Sequence, residues 1–269
     1  MVLRSKKYPL IVLFLLFSSS GWGEEPRLQE IIEKVHRLNN GIEDETAGVN
    51  FRTSNDDGIE KKSTHRLYWK NLHGKKGLAN KFMLLTISPP NLRGEGFLVW
   101  QGQELKNSQG WLYLPELRQV RRIDLFSHAG HHHNDSETES DLLFGDMANL
   151  LTGPGGRRAV GEETIQGEAF LVIEEDTRLD DLAVKHRLWV STQKGTIHKI
   201  EHLSREGKLL KTQWIEWQEI NGVWLWKATE IHSNRSGHKT MIELSDVQIN
   251  TGLSENLFTD NFLRSGRMP

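Results

Sequence analysis

The densest metal-binding chemistry in the chain lies in Ser127-His128-Ala129-Gly130-His131-His132-His133-Asn134-Asp135-Ser136-Glu137-Thr138-Glu139. Neutral imidazole is a ligand for zinc, copper or nickel, so this stretch is able to capture a metal ion. A working metal centre, however, holds its ligands on rigid elements with further hydrogen bonds behind them. Consecutive histidines on a polar segment point in different directions. Residues 127–140 therefore read as a disordered, solvated loop with opportunistic metal affinity, whose charge changes below about pH 6.5. No metal site and no cofactor is expected.

Other reactive patterns are sparse. There is no Gly-x-Ser-x-Gly elbow, no His-Glu-x-x-His helix and no Walker phosphate loop. Gly153-Pro154-Gly155-Gly156-Arg157-Arg158 has the composition of an anion-binding loop, but it follows a helical pattern instead of opening one, and reads as a loop with a basic exit. Arg118, Arg121 and Arg122 form a basic patch beside a strand. Solvated edge charges that discourage pairing with other chains explain such a patch, and a rim for phosphate headgroups is the functional alternative. The absence of cysteine excludes disulfides, cysteine-based zinc sites, thiol catalysis and a lipid-modified N-terminal cysteine. The 34 basic residues against 36 acidic ones argue against nucleic-acid binding. Nothing here points to an enzyme.

The unusual feature is nine tryptophans in a chain of 269 residues that is only 36% hydrophobic. Trp22 falls in an N-terminal segment with a basic start (Arg4, Lys6, Lys7), the apolar run Leu10–Phe17 and small residues at Gly21 and Gly23, which reads as a signal peptide cleaved after Gly23. The apolar run is too short to span a bilayer, which takes roughly 20 residues. Losing this segment leaves 31 basic residues against 36 acidic ones, an acidic exported protein suited to a bacterial periplasm. The remaining tryptophans, Trp69, Trp100, Trp111, Trp189, Trp214, Trp217, Trp224 and Trp226, all fall in predicted strands. Two readings fit them equally: core and sheet-edge packing, or the lining of a wide apolar cavity.

The elements that must position these rings are mostly strands. Leu28, Ile31, Ile32, Val35 and Leu38 recur at helical spacing, with Pro26 at the start and Asn39-Asn40-Gly41 as a stop. After that helix the pattern changes to thirteen strands near 49–54, 63–70, 80–88, 96–101, 109–114, 119–124, 159–165, 168–176, 184–192, 196–204, 208–218, 223–233 and 239–249. Asn221-Gly222 predicts a two-residue type I′ hairpin, and the succession of turns predicts an antiparallel meander in one domain spanning 24–269. Several strands are apolar on both faces: Val223, Leu225 and Ile231 alternate with Trp224, Trp226 and Ala228, for example. A second sheet, inserted helices or an apolar ligand must then cover the second face. A second amphipathic helix is predicted over 141–151, from Leu142, Leu143, Met147, Leu150 and Leu151. A sheet curled round two helices is the economical packing.

Pro90-Asn91-Leu92-Arg93-Gly94-Glu95-Gly96-Phe97-Leu98, followed by Trp111-Leu112-Tyr113-Leu114-Pro115-Glu116-Leu117-Arg118-Gln119-Val120-Arg121-Arg122-Ile123, resembles the LolA-like family of outer-membrane lipoprotein-sorting proteins. Gly161-Glu162, Phe170-Leu171-Val172, Leu188-Trp189-Val190 and Glu206–Lys211 follow in that family's order, so the likeness runs from about Leu28 to Phe262. The chain departs from the family where the His-rich loop is inserted, keeping only Ser140-Asp141 and Asp146 of the usual stretch, and it lacks the cysteine of membrane-tethered relatives.

The resemblance implies a curved antiparallel half-barrel, mainly β, with a helical lid over a hydrophobic cavity. It implies a soluble monomeric carrier for the acyl chains of lipoproteins or lipids, working between an inner-membrane transporter and an outer-membrane acceptor without covalent chemistry. Candidate lining residues are Trp69, Phe97, Val99, Trp100, Trp111, Leu112, Tyr113, Met147, Trp189, Trp214 and Trp226. Leu28, Ile31, Val35, Met147 and Leu150 form the lid stripe, and Arg93, Arg118, Arg121 and Arg122 the headgroup or partner rim. A periplasmic sensor of mislocalised lipoproteins and a metal binder using the His-rich loop are the alternatives.

Overall fold

The computed structural model describes residues 24–55, 57–125, 156–176 and 183–265. The proposed signal peptide, the His-rich segment and the 141–151 helix with Met147 and Leu150 lie outside the described residues. A helix α1 (Glu24–Asn40) opens the described chain. The strands follow: β1 (Asp44–Ser54), β2 (Glu60–Asn71), β3 (Leu78–Ser88), β4 (Gly96–Gly102), β5 (Gln109–Leu114), β6 (Gln119–Ile123), β7 (Arg157–Ile165), β8 (Glu168–Asp176), β9 (Ala183–Ser191), β10 (Ile197–Ser204), β11 (Leu209–Ile220), β12 (Val223–Ser233) and β13 (Lys239–Ile249). A short helix α2 (Asp260–Ser265) closes it.

All thirteen strands join one open, curved antiparallel sheet in the order β6-β5-β4-β3-β2-β1-β13-β12-β11-β10-β9-β8-β7. The chain meanders outward from β1 to the β6 edge, crosses between Ile123 and Arg157 to the β7 edge, and meanders back until β13 pairs with β1. Local turn chemistry supports this path. Asn221 and Gly222 both have positive φ (53° and 81°), as the type I′ turn between β11 and β12 requires. Gln166-Gly167 repeats that geometry between β7 and β8 (53° and 83°), a turn its composition does not advertise.

Residues registered opposite one another share a face. On one face α1 lays Ile31 and Val35 against Leu171, Ile173, Leu188, Val190, Ile197 and Ile200. Lys34 Nζ donates to the Thr192 carbonyl at 2.7 Å. Gly195 lets the β9–β10 turn approach the helix: a Cβ there would sit 2.7 Å from the Lys34 Cβ. On the reverse face a C-terminal segment packs Phe258 and Leu263 on Tyr68, Met83, Leu98 and Tyr113 of β2–β5. The second face is thus covered in part by helix and C-terminal chain, and no second sheet is present among the described residues.

Strict alternation fails in β12. Ala228 is registered with Glu216 but Trp226 with Trp217, so β12 carries an extra residue there. The bulge puts Trp226 in the cluster of Val49, Ile231 and Ile242. Simple parity had grouped Ile231 with Leu225 instead, and one inserted residue inverts every side chain beyond it.

The C-terminal segment is moored by Asp44. Its buried carboxylate accepts hydrogen bonds from the Thr251 (2.7 Å), Gly252 (2.9 Å) and Leu253 (2.9 Å) backbone N–H groups and from the Thr251 hydroxyl (3.0 Å). Burial alone would raise this carboxyl, but those four donors more than offset it and hold it below its ordinary value of 3.8. A depressed carboxylate contributes stability that is present above 3.8 and lost as the pH falls below it. Asp44→Ala should therefore cost about 3 kcal/mol near neutral pH, read from urea unfolding, with the gap to wild type shrinking in acid.

Candidate functional site

The α1 face carries a continuous apolar tract beyond the helix. One row runs Ala47, Leu67, Leu84, Phe97, Leu112 across β1 to β5. A neighbouring row runs Trp69, Phe82, Val99 and Gly110 to Ile123 across β2 to β6. On the other side of β1, Phe51 faces Ile242, which faces Thr229, which faces Ile215 beside the α1 cluster. Val49, Val99, Ile231 and Ile242 are fully buried, whereas Phe51, Leu67, Trp69, Phe82, Leu84, Phe97, Leu112 and Trp226 keep part of their surface open. This is a broad apolar surface whose rings are half-covered, the kind of lining that accepts further apolar atoms.

The register divides the sequence candidates into two sets. Trp69, Phe97, Val99, Leu112 and Trp226 lie on the α1 face. Trp100, Trp111, Tyr113, Trp189 and Trp214 lie on the reverse face. There the Trp100 indole N–H donates to the Phe258 carbonyl at 3.0 Å, its ring meets Trp111 edge-on, and Tyr113 is buried against the C-terminal segment. Lys199 sits 4.0 Å above the Trp189 ring, and Trp214, 40% exposed, stacks edge-on with His232. Alongside them an ion-pair ladder, Arg158–Glu174–Arg187–Glu201–Lys199, crosses β7 to β10 on that side.

Leu28, Ile31 and Val35 form the buried stripe of α1. Arg93 and Arg118 sit on neighbouring turns at one end of the sheet: a Cβ on Gly94 would lie 3.4 Å from the Pro115 ring. Arg121 and Arg122 point to opposite faces of β6, registered with Leu112 and Trp111. Arg157 and Arg158 each pair with a glutamate of β8, Glu175 and Glu174, as structural ion pairs do.

Two polar residues that sequence reasoning passed over sit in the apolar tract. Glu45 lies on β1 between Trp69 and Ile249, at the end of the Trp69–Phe82–Val99 row. It is 6% exposed, its Oε1 has no hydrogen-bond partner, and burial pushes its pKa up to about 7. His65, opposite Val49, is bonded through Nδ1 to the Thr86 hydroxyl (3.1 Å) and through Nε2 to the Ser63 hydroxyl (2.8 Å). Burial lowers its pKa to about 4. Glu45 was missed because Glu43-Asp44-Glu45 reads as a polar connection, and the strand pattern becomes visible only at Val49. The alternation Glu45, Ala47, Val49, Phe51 is the signal that would have found it.

A family model described only as "Uncharacterized protein" matches residues 79–265, well over half of the chain. The chain belongs to the family that this model describes. A Vibrio parahaemolyticus domain named for outer membrane lipoprotein sorting superposes with a TM-score of 0.77 at 22% identity, covering 87% of this chain and 97% of that one. A DUF1329 family protein from Desulfovibrio piger gives 0.76 at 20% identity, covering 88% and 99%. A LolA superfamily protein from Nitrosomonas europaea gives 0.66 at 22% identity, covering 87% and 98%. At these identities the likeness establishes a LolA-like fold. No curated protein matches the sequence.

The two buried polar groups pull this LolA-like sheet in opposite directions with pH. His65, held near 4 against an ordinary 6.5, contributes stability that is complete above 6.5 and lost as the pH falls through 4. Glu45, raised from 4.5 to about 7, contributes stability that is complete below 4.5 and lost as the pH rises through 7. Between 4.5 and 6.5 their slopes oppose each other. Glu45→Gln should unmask the histidine, so that unfolding free energy rises with pH across that window by up to about 1.4 kcal/mol per unit more than in wild type.

Proposed function

We propose that this LolA-like protein binds the acyl chains of a lipoprotein or lipid on its α1 face and carries them between envelope membranes without covalent chemistry. The single observation behind this reading is the apolar tract of half-covered rings running from Trp226 to Leu112 on one sheet face. Burying a CH₂ group contributes about 0.8 kcal/mol, so one long acyl chain supplies a gross driving force near 10 kcal/mol. Relatives named for lipoprotein sorting and the LolA superfamily share the fold, which favours a cargo of this kind.

In this reading the Leu28, Ile31 and Val35 stripe closes the β8–β10 end of the tract as part of a helical lid over a cavity. Arg93 and Arg118 form a basic rim for a headgroup or partner. The protein works in the periplasm after cleavage of its leader, loaded by an inner-membrane transporter and unloaded by an outer-membrane acceptor. Unloading requires a partner with higher affinity for the empty, open state, because a partner shifts an equilibrium only by differential affinity. No helix among the described residues is long and apolar enough to cross a membrane.

Native mass spectrometry with lipid extraction of the purified protein, and uptake of a fluorescent fatty acid, test the proposal. Trp226→Asp should weaken uptake about tenfold or more by placing a charge in the tract. Trp214→Asp, on the reverse face, should leave uptake unchanged. A protein that yields no acyl chains and takes up no fatty acid sinks the carrier reading.

A further inference from the structure

The apolar tract contains a carboxylate that an acyl chain alone cannot satisfy. Glu45 Oε1 is buried without a hydrogen-bond partner, on the same face and in the same row as Trp69, Phe82 and Val99. A buried acceptor left unpaired costs stability, and an apolar side chain at this position would avoid that cost. Its place in the fold is also distinctive. The β12–β13 ladder covers only Ala228–His232 against Lys239–Glu243, although both strands run on. Ile249, the β13 partner of Glu45, lies in the part of β13 that has no pairing with β12. Glu45 therefore stands where the apolar row meets a parting of the sheet.

We propose that Glu45 Oε1 accepts a hydrogen bond from the polar end of the ligand, so that the site selects acyl chains joined to an N–H or O–H donor, above all N-acyl amides, over chains ending in an ester or a carboxylate. This rests on the acyl-binding reading above and sharpens its substrate class. The row Trp69–Phe82–Val99 takes the first carbons of the chain, and the carboxylate takes the amide N–H beside them. A carboxylate headgroup would set two anions together in a low-dielectric site, which disfavours it.

The matched pair N-methyldodecanamide and methyl dodecanoate tests this, since the two differ in one N–H. Each competes with an uncharged fluorescent acyl ester for the full-length mature protein at about pH 8, where Glu45 is ionised. The amide should bind about tenfold tighter than the ester in wild type. Glu45→Leu should bring the two together chiefly by weakening the amide, and Glu45→Gln, which keeps an acceptor and guards against a folding defect in the leucine variant, should retain part of the preference. Equal binding of the pair by wild type, or a preference that survives Glu45→Leu, overturns this inference while leaving acyl binding intact. Binding of neither ligand, with no uptake of the uncharged fluorescent ester, overturns both.

Discussion

The fold depends on one pairing, that of the first strand with the last. β1 and β13 are registered from Glu45–Ile249 to Ser54–Lys239, and theirs is the ladder that joins the β1–β6 meander to the β7–β13 meander. Every other ladder links neighbours in sequence and closes through a short turn or the next strand. This one brings together residues about two hundred positions apart, and its loop-closure entropy must be met by contacts that form together. The Asp44 clamp on 251–253 lies at the end of this ladder, so a charged group fastens the junction where the chain's two ends meet.

From that junction the two meanders solve the same problem on opposite faces. The β7–β10 half buries its α1 face under the helix and carries ion pairs beside a small buried cluster of Phe170, Val172 and Trp189 on its reverse face. The β2–β5 half buries its reverse face under Phe258 and Leu263 and leaves its α1 face as the half-covered tract. Apolarity on both faces, which looks redundant in a meander, is thus divided between internal packing and a half-covered apolar surface.

The sequence made the strands legible because Asn-Gly, Asp-Gly and Lys-Gly turns punctuate period-two patterns, and the helix legible because Leu28, Ile31 and Val35 repeat at helical spacing. Which face each ring occupies was not legible. Trp100 and Val99 are adjacent in sequence and serve opposite faces, and tryptophan count alone cannot separate a ring under the C-terminal segment from one in the tract. The β12 bulge made parity misleading for Trp226, since nothing in Trp224–Thr229 announces an extra residue. Glu45 was hidden for a physical reason: a carboxylate is read as solvent-facing, and its burial is a property of the β1–β13 junction that no local window contains.

The short β12–β13 ladder also bears on how the sheet deforms. Five registered pairs hold that seam, against nine between β1 and β13 and ten between β11 and β12. Both strands are eleven residues long, so six residues of each lie outside the ladder, and this seam is a compliant crease between the panels on either side. Changes in curvature can then concentrate on a handful of bonds, widening or narrowing the tract while the Asp44 clamp and the clusters under α1 and under Phe258 and Leu263 stay intact. The sheet can change its curvature in this way without unfolding any strand.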